Sequence, residues 1–280
     1  MAGTLIMPKQ TGQKDAFYAS LQLYYESYKH GEEWYSNVNF KTRIQELLPY
    51  LSRGAQDGPY LVKQSELTRY FGLVYYDYST STGRAKITYT GIRFYNAYLQ
   101  NDKKTQIDII MNAIFNNSFG RNNTAIKSSD SDVDAPKLFL RSLYDLSHIT
   151  RKGLAYLLYV THDLQIEYND AISELNKTDD FDREIPIEVA NKYGDVKFTV
   201  LLNSLGIVDE VDRNYKLSDY VLANYSNKIK KLFGGINLTW TKLIIFSINI
   251  ILTKGSPPKN PMFMVLLNDI LRYDFHSDIK

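Results

Sequence analysis

The spacing of apolar positions divides the chain into helical stripes and short apolar runs punctuated by glycine. Phe17, Leu21, Tyr24 and Tyr28 recur at three- and four-residue intervals, which predicts a helix over 15–30 capped by Asp15. Ile44, Leu47, Leu48 and Leu51 predict a second helix over 42–52, ended by Gly54, Gly58 and Pro59. A short helix fits 63–71 and is stopped by Gly72. Runs over 73–78 and 86–89 read as strands joined by a Ser/Thr/Gly turn. Thr90 is placed to cap a helix through Leu99, and Thr105 to open another with Ile107, Ile110, Met111 and Ile114 inward. Helical patterns resume after Pro136, after Thr150 as N-cap, over 162–176 and over 197–205. Strand-like runs at 207–211 and 214–216 follow, then helices over 218–233, 241–253 and 260–273.

Two stretches lack an apolar face. Residues 1–14 are polar and punctuated by Gly and Pro, so they read as a flexible arm. Residues 116–135 form a long polar loop inside a helical region, a kind of loop that is commonly functional or disordered.

The chain also echoes itself. Leu67-Thr-Arg-Tyr-Phe-Gly72-Leu-Val and Leu201-Leu-Asn-Ser-Leu-Gly206-Ile-Val share a Leu, an apolar-Gly pair and an aliphatic-Val pair. Each leads to a second short strand, Lys86-Ile-Thr in one copy and Lys216-Leu-Ser in the other. A helix stopped by a left-handed glycine and followed by a hairpin closes a winged helix, a variant of helix-turn-helix. The bland alternative is that helix–Gly–strand occurs in many α+β proteins; two copies in similar settings favour the duplicated module. The expected fold is therefore mainly α with short β-hairpins (α+β): two winged-helix subdomains joined by a helical linker. Their limits are 15–115 and 136–216, with a helical insertion at 162–190, an arm at 1–14, a polar loop at 116–135 and C-terminal helices over 217–280.

Composition narrows the chemistry. The chain has 280 residues, no Cys and only four His, and those His form no metal-binding spacing. Disulfide scaffolds, thiolate metal sites and cysteine nucleophiles are thereby removed. The longest apolar run, 243–252, is interrupted by Ser247 and Asn249 and falls short of the roughly 20 residues of a membrane span. No membrane partner is expected. The first residues lack a basic, apolar export signal, which points to the cytosol. Net charge is only +2, yet residues 1–160 carry 19 bases and 14 acids and the remainder 14 bases and 17 acids. A basic front and an acidic rear suit a protein that offers one face to a polyanion, although chance clustering on a solvated surface gives the same count.

The helix before a wing's hairpin is the one that enters the major groove. In the first module it offers Lys63, Gln64, Ser65, Thr68 and Arg69; Arg pairs with guanine and Gln with adenine edges. In the second, Lys192, Tyr193 and Lys197 lie before or within it, while Arg151 and Lys152 open an earlier helix. Arg84 and Lys86 on the first wing suit phosphates. Arg121, Asn122, Asn123 and Lys127 of the polar loop add readers, and Lys9, Gln10, Gln13 and Lys14 of the arm could lie in a groove. Taken singly, each of these is better explained by solvated surface; the group is more persuasive because it lies where the fold would put DNA. Tyr24, Tyr28, Tyr95 and Tyr98 sit at helical spacing and are expected in the core rather than stacked on bases.

The run Thr68-Arg-Tyr-Phe-Gly-Leu-Val-Tyr-Tyr-Asp with Lys86-Ile-Thr-Tyr-Thr-Gly-Ile-Arg-Phe-Tyr resembles the first winged helix in the recognition region of type IIS restriction endonucleases of the FokI and AlwI type. Pro136-Lys-Leu-Phe-Leu-Arg-Ser-Leu, Ile149-Thr-Arg-Lys-Gly-Leu-Ala-Tyr and Leu205-Gly-Ile-Val are similar to the start and end of their second one. The resemblance spans about residues 40–220 and rests on pattern more than identity. It implies a prokaryotic cytoplasmic protein that binds double-stranded DNA at a short asymmetric site. Cleavage is then expected from a separate Mg²⁺-dependent nuclease domain of the same polypeptide. This chain itself is expected to be non-catalytic, with no metal or cofactor of its own. The Asp-x-Lys triplets at Asp102, Asp195 and Asp278 are no more than chance supplies, and none is taken as catalytic. The rival readings are a winged-helix transcription regulator, a tandem winged-helix protein-interaction module, and a complete nuclease using Asp182 with Asp195 and Lys197.

Overall fold

The computed structural model describes residues 5–8, 14–49, 65–77, 79, 83–116, 133–178 and 185–233. All lie in one compact unit, Met1–Phe233. The helices expected over 241–253 and 260–273 lie outside the described residues. Helices dominate, with two small antiparallel sheets of three strands each.

Helix α1 (Lys14–Lys29) is the rod of the first half. Phe17, Leu21 and Tyr24 are buried on its main stripe, and Ala16, Tyr18 and Leu23 are buried beside it. The Phe17 ring stands edge-on to Phe71 and Phe94, an arrangement that aromatic quadrupoles favour. Tyr28, expected inward, is half exposed because it occupies the last turn, just before Gly31 redirects the chain. Strand β2 (Tyr35–Ser36) leads directly into α2 (Asn37–Leu47). The Ser36 side chain accepts from the Asn39 amide at 3.2 Å and caps this helix five residues earlier than expected.

Helix α3 (Glu66–Tyr70) is followed by Gly72 at φ +65. The Gly72 amide donates to the Arg69 carbonyl at 2.9 Å and the Leu73 amide to the Thr68 carbonyl at 2.8 Å, closing the helix. The chain then enters strands β3 (Val74–Asp77) and β4 (Arg84–Ile87). Helix α4 (Tyr89–Leu99) is capped by Thr88, not Thr90: the Thr88 hydroxyl donates to the Gly72 carbonyl at 2.8 Å and accepts from the Gly91 amide. Helix α5 (Lys103–Asn116) completes this half, its first turn tied by Asp102, which accepts from the Thr105 amide and hydroxyl.

The second half repeats that order. Helix α6 (Ala135–Leu146) is followed by β6 (Ile149–Thr150) and by α7 (Arg151–His162), which Thr150 caps as expected. Helices α8 (Tyr168–Thr178) and α9 (Ile187–Tyr193) occupy the inserted region. Helix α10 (Phe198–Ser204) ends at Gly206, φ +77, with the same bonds as before: Gly206 amide to Asn203 carbonyl and Ile207 amide to Leu202 carbonyl. Strands β7 (Val208–Val211) and β8 (Asn214–Leu217) lead to α11 (Asp219–Lys231), capped by Ser218.

Both sheets place the short first strand beside the last one, in orders β2-β4-β3 and β6-β8-β7. Their registers coincide: Tyr35 faces Ala85 and Ile149 faces Tyr215, while Val74 faces Ile87 and Val208 faces Leu217. The cores match as well, since Phe139 of α6 stands edge-on to Phe198 and Tyr215 as Phe17 does to its neighbours.

The halves share one buried cluster. Two expectations are corrected at their junction. Residues 5–8 are not a loose arm: β1 (Leu5–Ile6) pairs in parallel with β5 (Val133–Asp134), and Met7 is buried. The two apolar residues of the strand and Met7 were hidden among polar neighbours. The polar loop accordingly ends before Val133, not at residue 135. Asp134 then caps α6 through the Lys137 amide at 3.2 Å and accepts from the Tyr70 hydroxyl of the first half at 2.8 Å. Its Oδ2 is buried without a hydrogen bond among the described residues, 3.6 Å from the Lys137 ammonium. Burial pushes the carboxyl up to about 6 against the pull of Lys137 and Tyr70. Farther along the junction, Asp108 of α5 accepts from the hydroxyls of Tyr220 and Tyr225 on α11 at 2.8 and 2.6 Å.

Two consequences are measurable. A methyl added at Gly206 meets only Ile107 Cδ1, 3.8 Å away, so Gly206→Ala isolates the cost of a left-handed backbone, about 1–2 kcal/mol. Urea unfolding should show a lower midpoint with an unchanged slope; an unchanged midpoint would contradict the geometry. Asp134 holds its proton in the folded chain between its unfolded pKa of about 3.9 and about 6. Its contribution to stability therefore falls as pH rises through that window. Asp134→Asn keeps the cap and removes the titration. Relative to this variant, the wild type should gain on the order of 2 kcal/mol between pH 7 and pH 4, read by urea unfolding across that range; a pH-independent difference would refute the assignment.

Candidate nucleic-acid interface

The residues expected to meet a ligand divide into three groups. Lys9, Gln10, Gln13, Lys63, Gln64, Arg121, Asn122, Asn123 and Lys127 lie outside the described residues. Ser65, Thr68 and Tyr193 are buried, which corrects their assignment as readers. The Thr68 hydroxyl donates to the Ser65 carbonyl at 2.7 Å, so both close the first turn of α3. Tyr193 packs inward from the end of α9, its hydroxyl 2.8 Å from His162 Nδ1. A five-residue helix wedged between a core and a sheet has little free face, and spacing alone could not say which side was covered.

The rest reach solvent. Arg69 is half-buried, its guanidinium 4.9 Å from the Tyr76 ring centroid and its Nε 3.3 Å from the Ser65 carbonyl. Lys14 is exposed in the first turn of α1. Arg151 and Lys152 are exposed in the first turn of α7, where the helix dipole favours an anion. Arg151 is steadied by the Tyr215 hydroxyl at 3.2 Å, a bond that raises its pKa further against the opposing effect of burial. Lys192 and Lys197 are exposed but engaged, Lys192 with both oxygens of Asp163 at 2.8 Å and Lys197 with Asp195 at 3.2 Å. Burial acts to raise the Asp163 carboxyl, but bonds from Lys192, Tyr193 and His162 outweigh it and bring it down to about 2.

Strand alternation arranges the first hairpin. Val74, Tyr76, Ala85 and Ile87 face the core, leaving Tyr75, Asp77, Arg84 and Lys86 on the other side. Tyr75 lies opposite Lys86 and Asp77 opposite Arg84. Trp34, just before β2, is drawn beneath both cations: the Arg84 guanidinium is 4.4 Å and the Lys86 ammonium 4.6 Å from its ring centroid. Trp34 escaped the sequence reading because a two-residue strand gives no periodic signal. Arg69, over the inward-facing Tyr76, is on the opposite side of the sheet from Arg84 and Lys86, so the two groups are not brought together.

Among the described residues no group of three or more His, Asp or Glu is placed to hold a metal ion, and no helix is long and apolar enough to cross a membrane. No step is assigned through a metal in this chain. No family model matches the chain, and no curated protein or solved structure matches it either.

Proposed function

We propose that the chain is a sequence-specific recognition module for double-stranded DNA, built from two winged-helix units. A further, Mg²⁺-dependent nuclease domain would cut beside the bound site, as the resemblance to type IIS restriction endonucleases implies. The observation that carries this reading is the duplicated order of helix, short strand, helix, helix and hairpin. Both copies share one sheet order, one register and one glycine-closed third helix. Two such units in one compact body can follow a duplex over successive groove segments, the first reaching it from the open edge of α3 with Arg69 and not with the buried Ser65 and Thr68. The exposed cations support the same partner. Arg151 and Lys152 on a helix N-terminus and Arg84 and Lys86 on the first wing suit phosphates, while Arg69 is the described side chain best suited to a base edge.

The test is a randomised-duplex selection with the purified chain, followed by affinity measurements on the enriched site and on random DNA at several salt concentrations. One short asymmetric site should emerge, with the logarithm of affinity falling by about 0.9 per phosphate contact for each decade of salt. Arg151→Ala and Lys152→Ala should weaken both duplexes alike and flatten the salt slope. Arg69→Ala should cost about 1–3 kcal/mol on the selected site and little on random DNA. A flat salt response, or no enrichment of any duplex, would defeat the DNA reading; a palindromic site would favour a regulator.

A further inference from the structure

The outward face of the first sheet carries two cations, Arg84 and Lys86. Each cation there has two partners, one aromatic and one acidic. Arg84 lies over Trp34 and donates through Nε to Asp77 Oδ2 at 2.9 Å; Lys86 lies over the same ring and donates to Glu33 Oε1 at 2.5 Å. Tyr75, 46% exposed, stands edge-on to the indole at 6.0 Å and borders the patch. A guanidinium held over an aromatic ring has five donors, and among the described residues Asp77 takes the one on Nε. The ammonium of Lys86 likewise has three donors and gives one to Glu33.

We propose that this face docks the phosphate backbone of DNA, and that Glu33 and Asp77 act as stand-in anions which the phosphates displace. The proposal rests on the DNA reading above and adds to it a regulatory pair of acids. A carboxylate and a phosphate oxygen compete for the same donors, so each ion pair holds its cation in a binding-ready position while weakening attraction to any loosely fitting polyanion. Trp34 fixes the cations whichever acceptor they hold, which lowers the entropy lost when the acceptor changes.

The second half supplies the independent argument. At the same register positions it carries Asp209 opposite Lys216 and Val211 opposite Asn214, with His148 in the place of Trp34 before the short strand. That sheet has the same topology without an indole or an arginine. The cluster on the first sheet is therefore not something the fold needs, which leaves that face open to serve a ligand. Both latching acids also stay ionised well below neutral pH. Hydrogen bonds from Ser79 and Arg84 hold Asp77 at about 2, and the bond from Lys86 lowers Glu33.

The experiment is a charge-removal double-mutant cycle on the full chain, with binding to a random and to a selected duplex measured at low and moderate salt. Glu33→Gln should tighten binding to random DNA by about fivefold at low salt and make the salt slope steeper, through one more available cation. Lys86→Gln and Arg84→Gln should each weaken both duplexes and lower the slope by about 0.9 per lost phosphate. Glu33→Gln placed on a Lys86→Gln background should do nothing. Tightening of the same size on that background would overturn the latch, since it would reflect the loss of an acid and nothing more. Trp34→Phe, checked for an unchanged melting temperature, should reduce affinity by slowing association less than it speeds release. If the wild type binds duplex but Arg84→Gln and Lys86→Gln bind as well as it does, this face is not the docking surface and the wider DNA reading survives. If the wild type binds no duplex at all, both fall.

Discussion

Each half of this protein turns on one backbone constraint: a glycine held at positive φ between a short helix and a hairpin. At Gly72 and Gly206 the chain closes the preceding helix through two amide-to-carbonyl bonds and leaves in a new direction without a side chain to resist it. Everything downstream is aligned by that turn. The strand that follows is fixed relative to the helix, and the carbonyl of the residue after the glycine, Leu73 or Ile207, accepts from the amide of the next helix cap, Thr88 or Ser218. The helix, hairpin and following helix are thus one hydrogen-bonded unit around a single residue. The short first strand adds to the far edge of the same hairpin.

The shared backbone also separates what the fold requires from what it tolerates. Inward positions stay apolar in both copies: Val74 and Val208, Ile87 and Leu217, Leu73 and Ile207. Outward positions have diverged in charge. The first sheet presents Arg84, Lys86 and two aromatics, and the second presents Asp209, Lys216 and Asn214. Burial constrains the first set through lost solvation and packing, while the second is constrained only by whatever the surface meets.

Much of the architecture was legible in the sequence because its signals are local. Glycine stops, a Thr150 cap, a Ser218 boundary and two hairpins each depend on a few adjacent residues. What stayed hidden depends on distant partners. The pairing of Leu5–Ile6 with Val133–Asp134 joins segments more than a hundred residues apart through strands too short to show alternation. The start of α2 was missed because a cap at Ser36 outweighed a poor helix-forming run. The misplaced site residues have the same origin. Ser65, Thr68 and Tyr193 are polar and near the right helices, but the covered side of a short helix is decided by what packs on it, which one sequence cannot state.

Asp134 links these levels. It ends the polar loop, pairs in the parallel bridge, caps the first helix of the second half and accepts from Tyr70 of the first, yet its second oxygen is buried without a hydrogen bond among the described residues. An amide would cap as well and carry no burial penalty for charge, so stability alone does not explain an acid there. What the acid adds is directional attraction to Lys137 across the helix start. What ties the two halves at this point is the Tyr70 hydroxyl, which donates to the same carboxylate from the first half. Any docking of the halves that lost Tyr70 would leave this buried carboxylate with one more unmet acceptor, which makes the joint directional.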